Sequence, residues 1–528
     1  MGKSAALLLV LFFLTASCII TFLPVQAGSR TIVVPDDYPT ISSAIGNATD
    51  GDTIFVKAGT YEEKTLEINK TLSLIGEGTE LTKINLDPPL FEEVVNILNQ
   101  KMYWYGPSIT VKAHNFRLLG LTIDTHSMKN VSGGEIYITG NRTQFLGNSI
   151  APLLMINGSY SNVTENKFSN NIFVGSYSTI TENTLRGVSA VGSHSNISGN
   201  NMVGSGIWIR EGLCNIISSN NIKGGGIEVE GGSSCLIYDN NLTGSPYGSF
   251  SVSGNDNIVS RNIVDHLELG LKVSGLNNLV FSNRITHCGE GLYPGAGNTY
   301  FANYVANNLW GIYAEGVVLN PLGNLSTIYH NNFIGNTYQV TTFPREYETD
   351  YFDNGKEGNY WSDYAGTDAD GDGIGDTPYV IDANRLDRYP LMAPFDIDSV
   401  TVKLPEWASP PSVHLISPEN TTYTSANVTL NFTVNKQTSW MGYSLDRQET
   451  VTVTGNTTLA GLSWGMHNVT VYAKDMFENT GASETISFSV DVPEPSEPFP
   501  TLLVATASGA SVAIIGIGLL VYFKKRKH

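Results

Sequence analysis

The 528-residue chain is too long for one ordinary globular domain, and its formal net charge of −19 excludes a nucleic-acid partner, which needs clustered Lys and Arg. Charged residues make up only 15% of it, Gly numbers 53 and Asn recurs throughout, a composition suited to stacked short strands and tight turns rather than helical bundles.

Taken in chain order, Lys3 precedes an apolar run from Ala5 to Leu23 and a small-x-Ala site at Val25-Gln26-Ala27, so residues 1–27 are predicted to be a signal peptide. Export agrees with the Asn-x-Ser/Thr sequons that recur from Asn47 to Asn468 as candidate glycosylation sites. Of the cysteines outside the signal, Cys214 and Cys235 lie about one repeat apart and are candidates to bridge adjacent coils; Cys288 is the third.

Residues 28–395 are predicted to form one right-handed parallel β-helix. An Asn-x-apolar pattern returns at Asn148, Asn166, Asn183, Asn200, Asn220, Asn240, Asn262, Asn283, Asn303 and Asn331, with spacings near twenty. That period fits one solenoid coil, each coil burying its apolar face against the next. The Asn is assigned to a tight turn, where it tolerates left-handed backbone and hydrogen-bonds the Asn of the neighbouring coil. A second register follows six residues later, in Gly206-Ile-Trp-Ile-Arg210, Gly226-Ile-Glu-Val-Glu230, Gly270-Leu-Lys-Val-Ser274, Gly291-Leu-Tyr-Pro-Gly295 and Gly311-Ile-Tyr-Ala-Glu315. Alternation points Ile207, Ile209, Ile227, Val229, Leu271 and Val273 inward. It points Trp208, Arg210, Glu228, Glu230, Lys272, Tyr293, Tyr313 and Glu315 outward, onto one face that is the candidate ligand-binding surface. Upstream, Thr31-Ile-Val-Val-Pro35, a short amphipathic helix with Ile41, Ala44 and Ile45 on one side, and Gly51-Asp-Thr-Ile-Phe-Val56 read as an end cap.

This entry segment resembles the N-terminal cap of the pectin-lyase-like superfamily, and the Asn-rich coils resemble its branch of NosD-like copper-binding proteins, carbohydrate-binding proteins and sugar hydrolases. The resemblance covers about residues 31–395. It implies the fold; for activity it leaves lyases, hydrolases, epimerases and scaffolds open.

Within residues 359–382 the repeat gives way to Asp368-Ala-Asp-Gly-Asp-Gly-Ile-Gly-Asp376. Carboxylates at loop positions 1, 3, 5 and 9 suit a hard cation, so Asp368, Asp370, Asp372 and Asp376, with the Ile374 carbonyl, are expected to hold a structural Ca2+ that closes the solenoid. The spacing resembles EF-hand-type and thrombospondin-type-3 loops but lacks their terminal Glu, Tyr379 standing there.

A linker (396–411) leads to alternating strands over residues 412–492, predicted to be a small β-sandwich that resembles the immunoglobulin-like modules of archaeal surface proteins, with Trp440 and Trp464 as packing aromatics. Residues 493–500 form a stiff Pro/Glu linker. Thr501 to Phe523 carries no charge and is long enough to span a bilayer, and the basic tail 524–528 places it inside, so the bulk of the chain is expected outside the cell.

Four functions follow. The first is binding of extracellular polysaccharide on the outer face, where aromatics stack on sugar rings and charges fix hydroxyls or carboxylates. The second is cleavage there: Glu228 and Glu230 as a glycosidase pair, or Arg210 or Lys272 as the base of a lyase. The third, implied by the NosD-like resemblance, is copper handling by His266, His287 and Cys288, although the chain has no Met- or His-rich tract and copper is not the expected cofactor. The fourth is a purely structural role in the cell envelope.

Overall fold

The computed structural model describes residues 29–491 except 89, 96–100, 126–130, 315–324, 343–350, 384, 401–404, 406, 408 and 476–478. The predicted signal peptide, linker at 493–500, membrane span and basic tail lie outside the described residues, as does Glu315. Among the described residues no helix is long and apolar enough to cross a membrane. The chain divides into two compact units at Ala408/Ser409.

The first unit is a parallel β-helix. A coil such as 216–230 contributes the strands Ile216–Ser218, Asn221–Lys223 and Ile227–Glu230, each paired in parallel with its counterpart in the coil before and after. One continuous sheet of 14 strands runs from Thr31–Val34 to Thr327–Tyr329. The predicted inward residues Ile207, Ile209, Ile227, Val229, Leu271 and Val273 are all buried in one core that follows the axis. The cap is as expected: the helix Ile41–Asn47 starts at a Thr40 capping box and buries Ile41, Ala44 and Ile45. Glu63 anchors its start, its Oε1 accepting from the Ile41 amide at 2.6 Å.

The repeated asparagines are stacked. From Asn148 to Asn359 each Nδ2 donates to the Oδ1 of the next at 2.9–3.1 Å, one continuous ladder of buried amides. The backbone detail differs from expectation. The left-handed residue is the one before the ladder Asn, as at Glu165, Glu182, Ser219, Asp239, Arg261 and His330. The Asn itself stays in the strand register because its side chain must enter the core, and the turn strain falls on its exposed neighbour, where Glu and Arg are tolerated because the ladder fixes the turn.

A second ladder lies five residues upstream: Ser195, Asn215, Cys235, Asn257, Asn278 and Asn298 occupy successive coils, with amide-to-Oδ1 bonds of 2.8–2.9 Å where the acceptor is Asn. This position explains why Cys214 and Cys235, candidates to bridge adjacent coils, are unbridged. Cys214 is the left-handed turn residue before Asn215, whereas Cys235 is itself a buried ladder residue. The two are one position out of register, so alternation sends their side chains different ways.

The C-terminal end closes on aromatic stacking. Trp361 is buried between Phe333 and Tyr379, with ring centroids 4.5 and 4.4 Å away. The ladder terminates on Asp387, whose Oδ2 accepts from the Asn359 amide at 2.7 Å and Trp361 Nε1 at 2.9 Å, and whose Oδ1 accepts from the Tyr389 amide at 3.1 Å. Donors approach both oxygens, and each oxygen of a carboxyl can accept whether or not the group is protonated, whereas an amide offers a single acceptor.

The second unit has its own core, including Val428, Leu430, Phe432, Val469, Val471 and Phe488. Val413–Ser417, Val428–Val434 and Thr457–Leu459 form one sheet; a larger one is built on Gly465–Lys474. Trp440 donates through Nε1 to Thr452 Oγ1 at 3.0 Å. Trp464, expected to pack, is 79% exposed. It precedes Gly465–Lys474, whose inward positions are His467, Val469, Val471 and Ala473, so the sheet offers it no inward position.

Candidate functional site

The parallel register fixes the outer face. Trp208 pairs with Glu228, Glu228 with Ser251, Ser251 with Lys272 and Lys272 with Tyr293, and the Tyr293 and Tyr313 rings lie 5.7 Å apart. Five coil steps of about 4.8 Å make this a row of about 24 Å. In the N-terminal direction the row continues through Ser189, Phe173 and Met155 to Tyr137.

Side-chain contacts divide the row in two. The Arg210 guanidinium lies 3.8 Å from the centroid of the Trp208 ring and reaches Glu230 at 3.7 Å, so one indole face is covered by a cation that an exposed carboxylate holds in place. Lys272 sits over Tyr293 at 4.4 Å, and Trp310 packs against Tyr313 at 5.3 Å. Glu228 accepts from Ser249 Oγ at 3.0 Å. Glu228 and Glu230 therefore stand on one strand but in different surroundings: Glu230 lines a hollow of about 550 Å³ with Arg210 and Glu211, and Glu228 lines a separate one.

That space is a groove of about 580 Å³ lined by Phe173, Ser189, Trp208, Glu228, Tyr247 and Asn171 over a glycine floor. Phe173, Tyr247 and Trp310 were missed by the sequence reading. Phe173 and Trp310 sit at strand positions with no Gly immediately before the strand to mark the register, and Tyr247 lies in a long strand, Asn241–Ser253, that breaks it. Tyr247 is 90% exposed, the alternation of that strand being its visible signal.

In the acidic loop, oxygens of Asp368, Asp370 and Asp372 lie within 4.8 Å of one another. Asp376 is outside that group, its Oδ2 accepting from Thr367 Oγ1 at 3.1 Å and the Ala369 amide at 3.0 Å. Ile374 donates its amide to Asp372 Oδ1 at 2.8 Å. Desolvation, the largest single effect, raises the Asp368 carboxyl, but the amides of Gly373, Gly371 and Asp372 together outweigh it and hold the group below the usual range. The converging hard oxygens fit a divalent cation of the calcium type.

A third cluster joins adjacent coils. The His266 and His287 rings stack at 4.8 Å, and the Nδ1 of each is 2.8 Å from a different oxygen of Asp265. Burial pushes Asp265 up, yet hydrogen bonds from His287, Thr286 and His266 win and hold it below the ordinary carboxylate range. Cys288 does not join them: it is buried, its thiol donates to Thr286 O at 3.2 Å, and burial pushes it up to about 11. Its Sγ is not among the ligand atoms that converge at Asp265, His266 and His287.

Residues 186–366 match the family model described as periplasmic copper-binding protein (NosD). The probable ABC transporter binding protein NosD of Pseudomonas aeruginosa is 29% identical over 164 residues, which cover 30% of this chain and 37% of that protein. Halomucin of Haloquadratum walsbyi is 36% identical over 99 residues, 17% of this chain and 1% of halomucin. The chain thus spans well under half the length of each of these curated relatives. Among solved structures, the PL6 family alginate lyase AlyGC is 14% identical, covering 75% of this chain and 61% of that one with a TM-score of 0.38. Across residues 186–366, the parallel β-helix of this chain is thus similar to the NosD family.

Proposed function

We propose that this chain is an exported surface protein that binds polysaccharide along the outer face of its solenoid, with Thr501 to Phe523 anchoring it in the membrane. The observation that carries the reading is the row in which Trp208, Tyr293 and Tyr313 stand in register beside Glu228 and Lys272, with a groove at one end. Saccharides present apolar ring faces edged by hydroxyls, and an aromatic row flanked by polar groups complements them. Binding is favoured over cleavage because Glu228 is the one carboxylate lining the groove while Glu230 is engaged by Arg210, and a glycosidase needs a working pair. The same groove offers a lyase no Lys or Arg base, Lys272 being occupied over Tyr293. A glycan array probed with the chain, with and without Ca2+, tests the proposal. Trp208→Ala is expected to weaken the best-bound glycan at least about fivefold, and undiminished binding would count against it. The acidic loop is proposed to hold a structural Ca2+ through Asp368, Asp370 and Asp372.

A second reading, copper handling, is favoured by one observation: the Asp265–His266–His287 cluster lies inside the segment that matches the NosD model. Asp265 would orient both rings through Nδ1, leaving Nε2 to meet the metal, an arrangement common at histidine sites. Copper affinity that survives His266→Ala with His287→Ala would exclude it.

A further inference from the structure

The chemistry of the groove beside Trp208 selects among saccharides. Its lining carries one carboxylate, Glu228, and neither lysine nor arginine. The adjacent cation, Arg210, is committed to the indole face and to Glu230, and Lys272 stands two coils away over Tyr293. A uronate in this groove would bring its own carboxylate beside Glu228 with no cation in the lining to offset the repulsion.

The walls of the groove are ring faces and uncharged groups, Phe173, Trp208 and Tyr247 with Asn171 and Ser189, which suit a sugar ring and its hydroxyls better than a second carboxylate. Between these walls the floor is bare backbone. A Cβ on Gly225 would fall 1.1 Å from Ser205 O and one on Gly226 2.1 Å from Ser249 O, so the coils are packed too closely there for any side chain. A ring can therefore settle against the backbone, with Phe173 and Trp208 to one side and Tyr247 to the other.

We infer that this groove takes an uncharged sugar unit, a hexose or an N-acetylhexosamine, seated on the glycine floor between Trp208 and Tyr247, and that it discriminates against uronates. The inference rests on the carbohydrate-binding reading of the outer face and narrows it to a substrate class.

The test is calorimetric titration of the full chain in detergent with cellohexaose, mannohexaose and N-acetylchitohexaose, set against hexamers of galacturonate and mannuronate. At least one neutral probe is expected to bind, and every uronate at least about tenfold more weakly. Trp208→Ala, which removes the ring from the groove wall, is expected to cost the neutral probe at least about fivefold. Tyr247→Ala, at a side chain 90% exposed and so remote from folding, is expected to weaken it as well. Glu228→Gln should narrow the gap between neutral and uronate probes. Uronates that bind as tightly as neutral hexamers, with the same dependence on Trp208, would overturn the inference and leave the outer-face reading standing. Neutral binding indifferent to both Trp208→Ala and Tyr247→Ala would also overturn it by moving the site elsewhere. Failure of every probe would remove the outer-face reading with it.

Discussion

Replacing Asn262 with Ala tests what holds the solenoid together. The Asn262 side chain donates to Asn283 Oδ1 and Ile237 O, both at 2.9 Å, and accepts from the Asn240 amide at 3.1 Å and Asn240 Nδ2 at 3.0 Å. After truncation, Asn283 Oδ1 keeps the Asn262 amide, and Asn240 Nδ2 keeps Ile217 O and Tyr238 O. The Asn240 amide and Ile237 O lose the bond this side chain gave them, inside a fully buried site. At about 1–3 kcal/mol for each buried group left unsatisfied, the loss comes to roughly 3–4 kcal/mol, a large fraction of the stability of a typical domain. Urea unfolding followed by circular dichroism reads it, with Asn221→Ala as the control. Asn221 is also hydrogen-bonded between coils, to Asn201 and Asn241, but is exposed, so its loss should stay within about 0.5 kcal/mol. Asn262→Asp should be worse than Ala, because it turns a carboxylate toward Ile237 O and Asn283 Oδ1. An Asn262→Ala variant no less stable than Asn221→Ala would refute the buried ladder as the main source of inter-coil specificity.

Asp387 should give the end of the ladder a pH dependence. Burial pushes it up to about 6 against the pull of Asn359, Trp361 and Tyr389, so its favourable contribution is complete below about pH 3.8 and is lost as pH rises through about 6. The shift corresponds to about 3 kcal/mol, and the stability of the wild type relative to Asp387→Asn should fall between pH 4 and pH 7; a constant difference would contradict it. Calcium should raise the melting temperature of the wild type, and Asp370→Ala with Asp372→Ala should abolish the increase; the absence of any shift in the wild type would argue against a structural ion. Cys235 and Cys288 should react with a thiol reagent only after unfolding, while Cys214, half-buried at its turn, should react in the native chain, and reduction should not change the melting temperature.

What could be read from the sequence was whatever repeats. Asn220, Asn240 and Asn262 stack as their spacing predicts, and the Gly-led strands place Trp208, Glu228, Lys272 and Tyr293 in one row, because alternation and coil length leave a parallel solenoid a single register. What escaped was local chemistry. The second ladder was hidden because its rung varies among Ser, Asn and Cys, all small enough for the same buried turn. The left-handed residue carries no compositional mark, being Glu, Asp, Arg, Ser or His in different coils. Nor could spacing reveal that Arg210 would cover one face of Trp208, or that Phe173, Asn171 and Tyr247 would meet around the other residues of the groove, since these come from coils with different strand lengths.

The central claim, carbohydrate recognition by the outer face, is tested most directly by comparing glycan-array binding of the wild type with that of a Trp208→Ala, Tyr313→Ala double variant of matched melting temperature. The account predicts a wild-type signal on a restricted set of glycans, reduced at least about fivefold in the variant for each aromatic platform removed. An undiminished signal from the folded variant would contradict it.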